Sequence, residues 1–315
     1  MDFRLTADQR ALRDGTRELL AGRFGRDRLR AAVDDPALDR GLWRELADAG
    51  FFALRLPEAD GGVGLGLPEA VLVLEEAGRA LLPGPLVAGQ LLAGAVDGVA
   101  GGERIVVLCD AATDPVYGEH PADCDALVFL EAGDGPAYHS APAEVTCVPL
   151  ASVDPLTPLA RVTGRPRTAP LTGLDVPRLR REAALLTAAQ QVGSAARTVE
   201  LAVDHARRRT QFGAAIGSFQ AVKHLCAGML VRAELARAAV YAAAVTGDAL
   251  DITGAKLLAD EAAAHNARDC LQVHGGIGFT WEADVHLHLK RAWLRAEMWG
   301  RAREAEERLA DALTG

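Results

Sequence analysis

The chain has 315 residues, half of them apolar and a quarter charged, which is ordinary globular composition and allows about two or three domains with a large core. Lys and Arg number 34 against 43 Asp and Glu, a net charge of −9, which disfavours a nucleic-acid binder or a basic membrane-surface protein because both need a positive field. Five scattered cysteines lack metal-ligand spacing, no apolar run reaches membrane-span length, and Met1–Arg4 carries charge where a signal peptide needs an apolar core. A cytoplasmic protein without a structural metal is the expectation.

Residues 1 to about 100 read as helical. Leu12, Leu19 and Leu20 fall at helical spacing from Asp8 to Phe24, with Thr6 as N-cap. A short helix from Leu42 to Ala49 follows, then a Gly-rich loop from Pro57 to Gly66. Pro68 to Leu82 is the next helix, with its proline near N1. From 101 to 178 the pattern changes to short apolar runs, Ile105–Cys109, Ala126–Glu131 and Val145–Leu150, parted by Gly, Pro and Asp. That predicts a small β domain. Helical spacing returns at 179. Leu185, Ala189, Val192, Ala196, Val199 and Val203 form a narrow apolar seam. Long helices are predicted from about Phe219 to Ala244, from about Gly254 to Val273 and from about Ala283 to Leu313. Short connections between them suggest an antiparallel bundle. The order helical, β, helical excludes a doubly wound α/β sheet.

Taken one at a time, the polar motifs are ambiguous. The Gly61–Gly66 run does not fit the dinucleotide fingerprint and reads as a tight connection. His286 and His288 lie two apart, on different faces of a helix, so they read as surface or interface residues and not as a metal pair. Arg207-Arg208-Arg209 either offsets a helix C-terminus or binds an anionic ligand such as phosphate.

Two segments change this when read together. One runs Arg209-Thr210-Gln211-Phe212-Gly213 to Phe219-Gln220. The other runs Gln272-Val273-His274-Gly275-Gly276-Ile277-Gly278-Phe279. Both resemble signatures of the FAD-dependent acyl-CoA dehydrogenase family. Trp43, Pro57-Glu58, Gly61-Gly62, Glu75-Glu76 and Gly78-Arg79-Ala80 resemble its N-terminal domain in order. The resemblance spans nearly the whole chain and is weakest in the middle.

That resemblance implies a multi-domain α+β fold: an N-terminal helical domain (1–100), a central β domain, here abbreviated (101–178), and a C-terminal four-helix bundle (179–315). It implies FAD as cofactor and an acyl-CoA or carrier-bound acyl thioester as substrate, desaturated between Cα and Cβ. It also implies assembly into a homo- or hetero-oligomer, dimer or tetramer, with a family homologue. Arg209, Gln211 and Phe212 would contact FAD across a subunit interface, with Arg209 at the pyrophosphate. Ile216 and Gln220 would line the adenosine side. Gln272 would hydrogen-bond the cofactor, and Gly275 and Gly276 would admit its phosphates close to the backbone.

The chain departs from the pattern at the base. Most members carry a glutamate after the Gly-Gly segment, where this chain reads Met298-Trp299-Gly300, with Glu297 two positions away. A minority place the base on the helix before Arg209, where the slot falls on Ala183 beside Glu182. Glu182 and Glu297 are therefore the only candidates for the base. In an apolar seam beside a thioester, desolvation would raise the pKa of Glu182. The family's Thr-Glu-x-x-x-Gly-Ser-Asp segment, which supports the flavin ring, is not recognisable. A short, actinobacterial-type subunit of a heteromeric acyl-CoA dehydrogenase fits this asymmetry. So does a non-catalytic partner that completes the FAD site of a catalytic homologue.

Overall fold

The computed structural model describes residues 4–167 and 169–314. Five helices come first: α1 (Ala7–Arg23), α2 (Arg26–Asp34), α3 (Arg40–Asp48), α4 (Leu67–Ala80) and α5 (Leu86–Leu92). Thr6 caps α1 as its sequence indicates. Its hydroxyl accepts from the Gln9 amide while the Gln9 side chain answers to the Thr6 amide. Two helices, α2 and α5, have no counterpart in the sequence-based expectation. Each is short, at nine and seven residues, too short to display a periodic stripe.

Seven strands follow: β1 (Val106–Asp110), β2 (Val116–Glu119), β3 (Ala126–Leu130), β4 (Ala137–Ser140), β5 (Thr146–Leu150), β6 (Leu159–Gly164) and β7 (Ala169–Leu171). They form one sheet of order β1-β3-β4-β7 and another of order β2-β6-β5. Only β1 and β3 pair in parallel, Val106 opposite Ala126. Both are apolar almost throughout and buried on both faces, as parallel strands require.

The rest is helical: α6 (Val176–Arg208), a two-residue-strand hairpin of β8 (Thr210–Gln211) and β9 (Ala214–Ala215), α7 (Gln220–Thr246), α8 (Ala249–His274), α9 (Val285–Ala296) and α10 (Ala302–Thr314). The single final helix expected from sequence is two, broken at Glu297–Arg301. Trp299 and Gly300 there hold φ of +57° and +112°. The expected narrow seam on α6 is also corrected. From Glu182 to Ala195 every residue is buried, because α6 packs against α4, α5, α7, α8 and α9. A helix with neighbours on all sides needs apolar or small residues all round, and no stripe survives.

Glycine sets the closest of these contacts. A Cβ on Gly193 would lie 1.8 Å from the Glu75 carbonyl oxygen, and one on Gly78 would lie 2.0 Å from that of Gln190. Helices α4 and α6 thus meet backbone to backbone. Beside that crossing, α4 buries two carboxylates, each with its own partners. Glu75 accepts from Arg237 Nε (3.0 Å) and Tyr241 Oη (2.8 Å) of α7. Glu76 accepts from Arg17 Nη2 (2.6 Å) of α1. A buried charge is tolerated only when paired in this way.

Candidate functional sites at opposite ends of the bundle

The Arg209 and Gln272 segments lie at the end of the bundle where α6 and α8 finish and α7 begins. The rings of His205 on α6 and His274 on α8 stack at 4.1 Å, which brings Arg209 and Gly275 to one face of the molecule. Ile216 packs with Val273, Leu271 and Ala206 in a small separate core beneath. The hairpin is closed by the Ile216 amide donating to the Arg209 carbonyl (2.8 Å).

What this end presents is uncommitted. Arg208 is tied back to Asp204 on its own helix, whereas the Arg209 guanidinium makes no ion pair among the described residues. Phe212, at φ +53°, is 93% exposed and meets only the edge of Phe219. Gln220 and Gln272 are exposed, and the Gln211 amide donates only to its neighbour's carbonyl. A Cβ on Gly275 or Gly276 would meet nothing within 4 Å. An unpaired guanidinium beside open glycine backbone and an outward aromatic ring suits a phosphate-bearing aromatic dinucleotide, so these residues fit FAD.

The other end holds a cavity of about 740 Å³. Its walls are the first turns of α6 and α8, the β1–β2 and β3–β4 loops, and the α9–α10 link with Glu297 and Trp299. Gln272 lies sixteen positions beyond Lys256 on the same helix, about 24 Å at 1.5 Å per residue. The two sites of one chain therefore lie at opposite ends of α8.

The two candidate bases differ in placement. Glu182 is buried but does not line the cavity, whose α6 wall is Pro177, Arg180, Arg181 and Ala184. It points instead at Arg55 (2.8 Å) and Arg178 (2.7 Å). Burial alone would raise its pKa, but the hydrogen bonds and charges of Arg55 and Arg178 outweigh it and hold the carboxyl below its usual range. The raised pKa expected from sequence is overturned, because the surroundings are cationic. Glu297 does line the cavity, with its side chain 66% exposed and paired to Arg301 at 3.1 Å.

Sequence reasoning passed over Lys256. It is 3% exposed, its Nζ donates to Asp260 and to the Arg295 carbonyl (3.1 Å), and it faces the cavity. The signal was present in the Lys256-x-x-x-Asp260 spacing. His286 and His288, expected at a surface or interface, are both buried because the whole first turn of α9, Val285–Leu289, is buried. They do not converge. His288 Nδ1 pairs with Ser194 Oγ at 2.8 Å, and His286 lies edge-on to Trp281. Among the described residues no cluster of three metal-ligating side chains occurs, and no helix is long and apolar enough to cross a membrane.

A helical N-terminal third, two small sheets and a helical C-terminal bundle with an outward Arg-Thr-Gln-Phe-Gly hairpin define a class. The comparisons agree. Residues 6–98 match the acyl-CoA dehydrogenase N-terminal domain and residues 179–310 its C-terminal domain. The chain belongs to the acyl-CoA dehydrogenase family, oxidoreductases acting on CH–CH bonds. It is 36% identical to acyl-CoA dehydrogenase IpdE2 of Mycobacterium tuberculosis, over 96% of both chains. In fold it is similar to a chain of the Tcur3481–Tcur3483 steroid ACAD (TM-score 0.85, 24% identity, 98% of both chains). It is equally similar to a chain of the ChsE4–ChsE5 complex of Mycobacterium tuberculosis (TM-score 0.84, 24% identity, 100% and 99% covered).

Proposed function

We propose that this chain is one subunit of an FAD-dependent acyl-CoA dehydrogenase oligomer, with residues 1–100, 101–178 and 179–315 as its domains. Its part is to hold the adenosine and pyrophosphate side of a flavin whose ring is seated in a homologous, base-bearing subunit. One observation carries this reading. The residues that fit FAD phosphates face outward at one end of the bundle, while at the other end Trp299 stands where the resemblance places the base. Two of the solved relatives are themselves complexes of two named chains, ChsE4 with ChsE5 and Tcur3481 with Tcur3483.

FAD, when bound, accepts the hydride from Cβ as a carboxylate takes the proton from Cα. Arg209 would pair with the pyrophosphate, Gly275 and Gly276 would let it approach the backbone, and Phe212, Ile216 and Gln220 would flank the adenosine. Gln211 and Gln272 would hydrogen-bond the cofactor's polar edges. A second reading, with this chain catalytic by itself, draws support from Glu297, the one candidate base that lines the cavity.

The test is purification with and without a base-bearing homologue, followed by flavin absorbance. Flavin should copurify with the complex. Arg209→Ala should weaken FAD binding about tenfold to a hundredfold, the worth of a charge-assisted bond of roughly 1.5–3 kcal/mol. Arg207→Ala should do much less. A complex that carries no flavin and takes up none would end this reading.

A further inference from the structure

At the cofactor end two half-buried imidazoles, His205 and His274, occupy one place, and the cofactor reading gives them no task. His205 lies four positions before Arg209, hence on the same face of α6, and the Arg209 amide donates to its carbonyl (2.8 Å). His274 is the last residue of α8, directly before Gly275. The two rings stack at 4.1 Å, 28° from parallel, so the pair joins the helix end that carries Arg209 to the one that carries Gly275. His274 Nδ1 lies 2.8 Å from the Cys270 carbonyl oxygen. A carbonyl only accepts, so Nδ1 carries the hydrogen and the Nε2 lone pair stays open. The His205 ring makes no hydrogen bond or ion pair among the described residues.

The surroundings of the pair are cationic. Arg208 and Arg209 act on His205 from α6 and its end, His274 acts from α8, and no carboxylate is among these charges. Asp204 is turned to Arg208, and Asp269 of α8 to Arg232 of α7. Helix α7 adds Cys226 to the core beneath, with Lys223 and His224 exposed on its first turn. Burial, then His274, Arg209 and Arg208, hold His205 below its ordinary 6.5, so at neutral pH the free subunit keeps this ring uncharged. A diphosphate beside Arg209 reverses that balance. It offsets the guanidinium that opposes protonation and favours a cation on the stacked rings. Two imidazoles at contact distance hold one added proton far more readily than two, because the second cation would lie against the first.

We propose that His205 and His274 are a shared single-proton site of the flavin-binding end, so that the subunit takes up one proton as it binds FAD and holds FAD more tightly as pH falls. The inference rests on the reading of Arg209 and Gly275 as pyrophosphate contacts. The proton comes from solvent and goes to His274 Nε2 or to the unbonded ring of His205, and no bond of the flavin changes. The phosphodiester groups of FAD stay ionised throughout and contribute nothing to the dependence. Its sign follows from linkage, since the group is protonated more readily in the bound state. The gain in affinity is complete below the pair's pKa in the free subunit and is lost as pH rises through its higher pKa in the complex.

The test uses the full chain in complex with its base-bearing homologue. FAD affinity is measured by equilibrium dialysis from about pH 6 to about pH 8, the range in which an imidazole titrates. Calorimetry in two buffers of different ionisation enthalpy counts the protons taken up. Binding by the parent should weaken roughly threefold to thirtyfold across that range, within the limit of about tenfold per pH unit for one proton. The double change His205→Phe with His274→Phe, which keeps two stacked rings, should remove both the dependence and the proton uptake. His205→Gln, which leaves His274 on the Cys270 carbonyl, should at least halve the dependence and serves if the double variant does not assemble. His224→Gln, the exposed histidine of α7, should keep it in full. Proton uptake absent from the parent, or unchanged by His205→Gln, or lost in His224→Gln, overturns the inference. FAD bound equally at every pH ends this inference alone, whereas a complex that binds no FAD at any pH ends the proposed function and the inference with it.

Discussion

Glu182 shows how far a residue's neighbours can reverse its expected chemistry. An apolar helix face predicts a raised pKa, yet Arg55 and Arg178 hold this carboxylate ionised and turned from the cavity. Glu182→Gln should therefore leave turnover by the assembled oligomer unchanged while lowering stability by roughly 1–3 kcal/mol, since two arginines lose their partner. Abolished turnover with unchanged stability, in a panel of acyl-CoA thioesters with an artificial electron acceptor, would make it the base after all. His288 carries a prediction in pH. Burial first, then the charges of Arg197 and Arg291, push it down to about 3 from the ordinary 6.5, so the folded chain keeps it neutral. The unfolded chain takes up that proton between those values. Its contribution to stability is thus intact above about pH 6.5 and declines as pH falls toward 3, by up to about 1.4 kcal/mol per pH unit. Urea midpoints measured across that range should fall more gently in His288→Gln.

Among the elements, the crossing of α4 and α6 decides most. Gly78 was legible in sequence as part of a motif, but its reason was not, because the carbonyl it accommodates belongs to Gln190, more than a hundred positions away. Gly193→Ala must push α6 off Glu75 and Arg79 and should cost at least about 1–3 kcal/mol. Gly15→Ala is the control. Gly15 lies inside α1, exposed, with nothing within 4 Å of an added Cβ, and the change should stabilise by roughly 0.5–1 kcal/mol. Opposite shifts in denaturation midpoint are the expected result, and equal shifts would show that the crossing tolerates a methyl group. Long helices α7 and α8 were readable within a few residues because their patterns persist for seven turns. The break at Glu297–Arg301 was not, since no proline marks it and its glycine follows a tryptophan in the same left-handed half of backbone space.

At the scale of the whole molecule, the outer face of α7 remains apolar. Leu230, Val231 and Leu235 are all more than half exposed along one side, midway along the helix. That is more exposed apolar surface than a helix facing only water carries, and it fits a subunit contact. The double change Val231→Glu with Leu235→Glu should shift the sedimentation coefficient to that of a single chain and release bound flavin with it. An unchanged sedimentation profile would place the contact elsewhere. The Arg209 and Gly275 segments lie at the end of the bundle remote from the cavity, so the proposed function requires a second subunit to complete the flavin site.

Periodicity and turn chemistry along the chain were enough for the order helical, β, helical, for strands β1, β3 and β5 and for the capping of α1. These depend on contacts within a few residues of one another. The signature segments around Arg209 and Gly275 were likewise readable, since backbone freedom and guanidinium chemistry belong to the residues themselves. What only the tertiary structure decided is which charges find partners. Burial of α6 on all sides, the arginines around Glu182 and the pairing of Lys256 with Asp260 at the cavity come from helices brought together across the chain. Electrostatics in a packed interior depends on distance and desolvation, and neither is written in sequence separation.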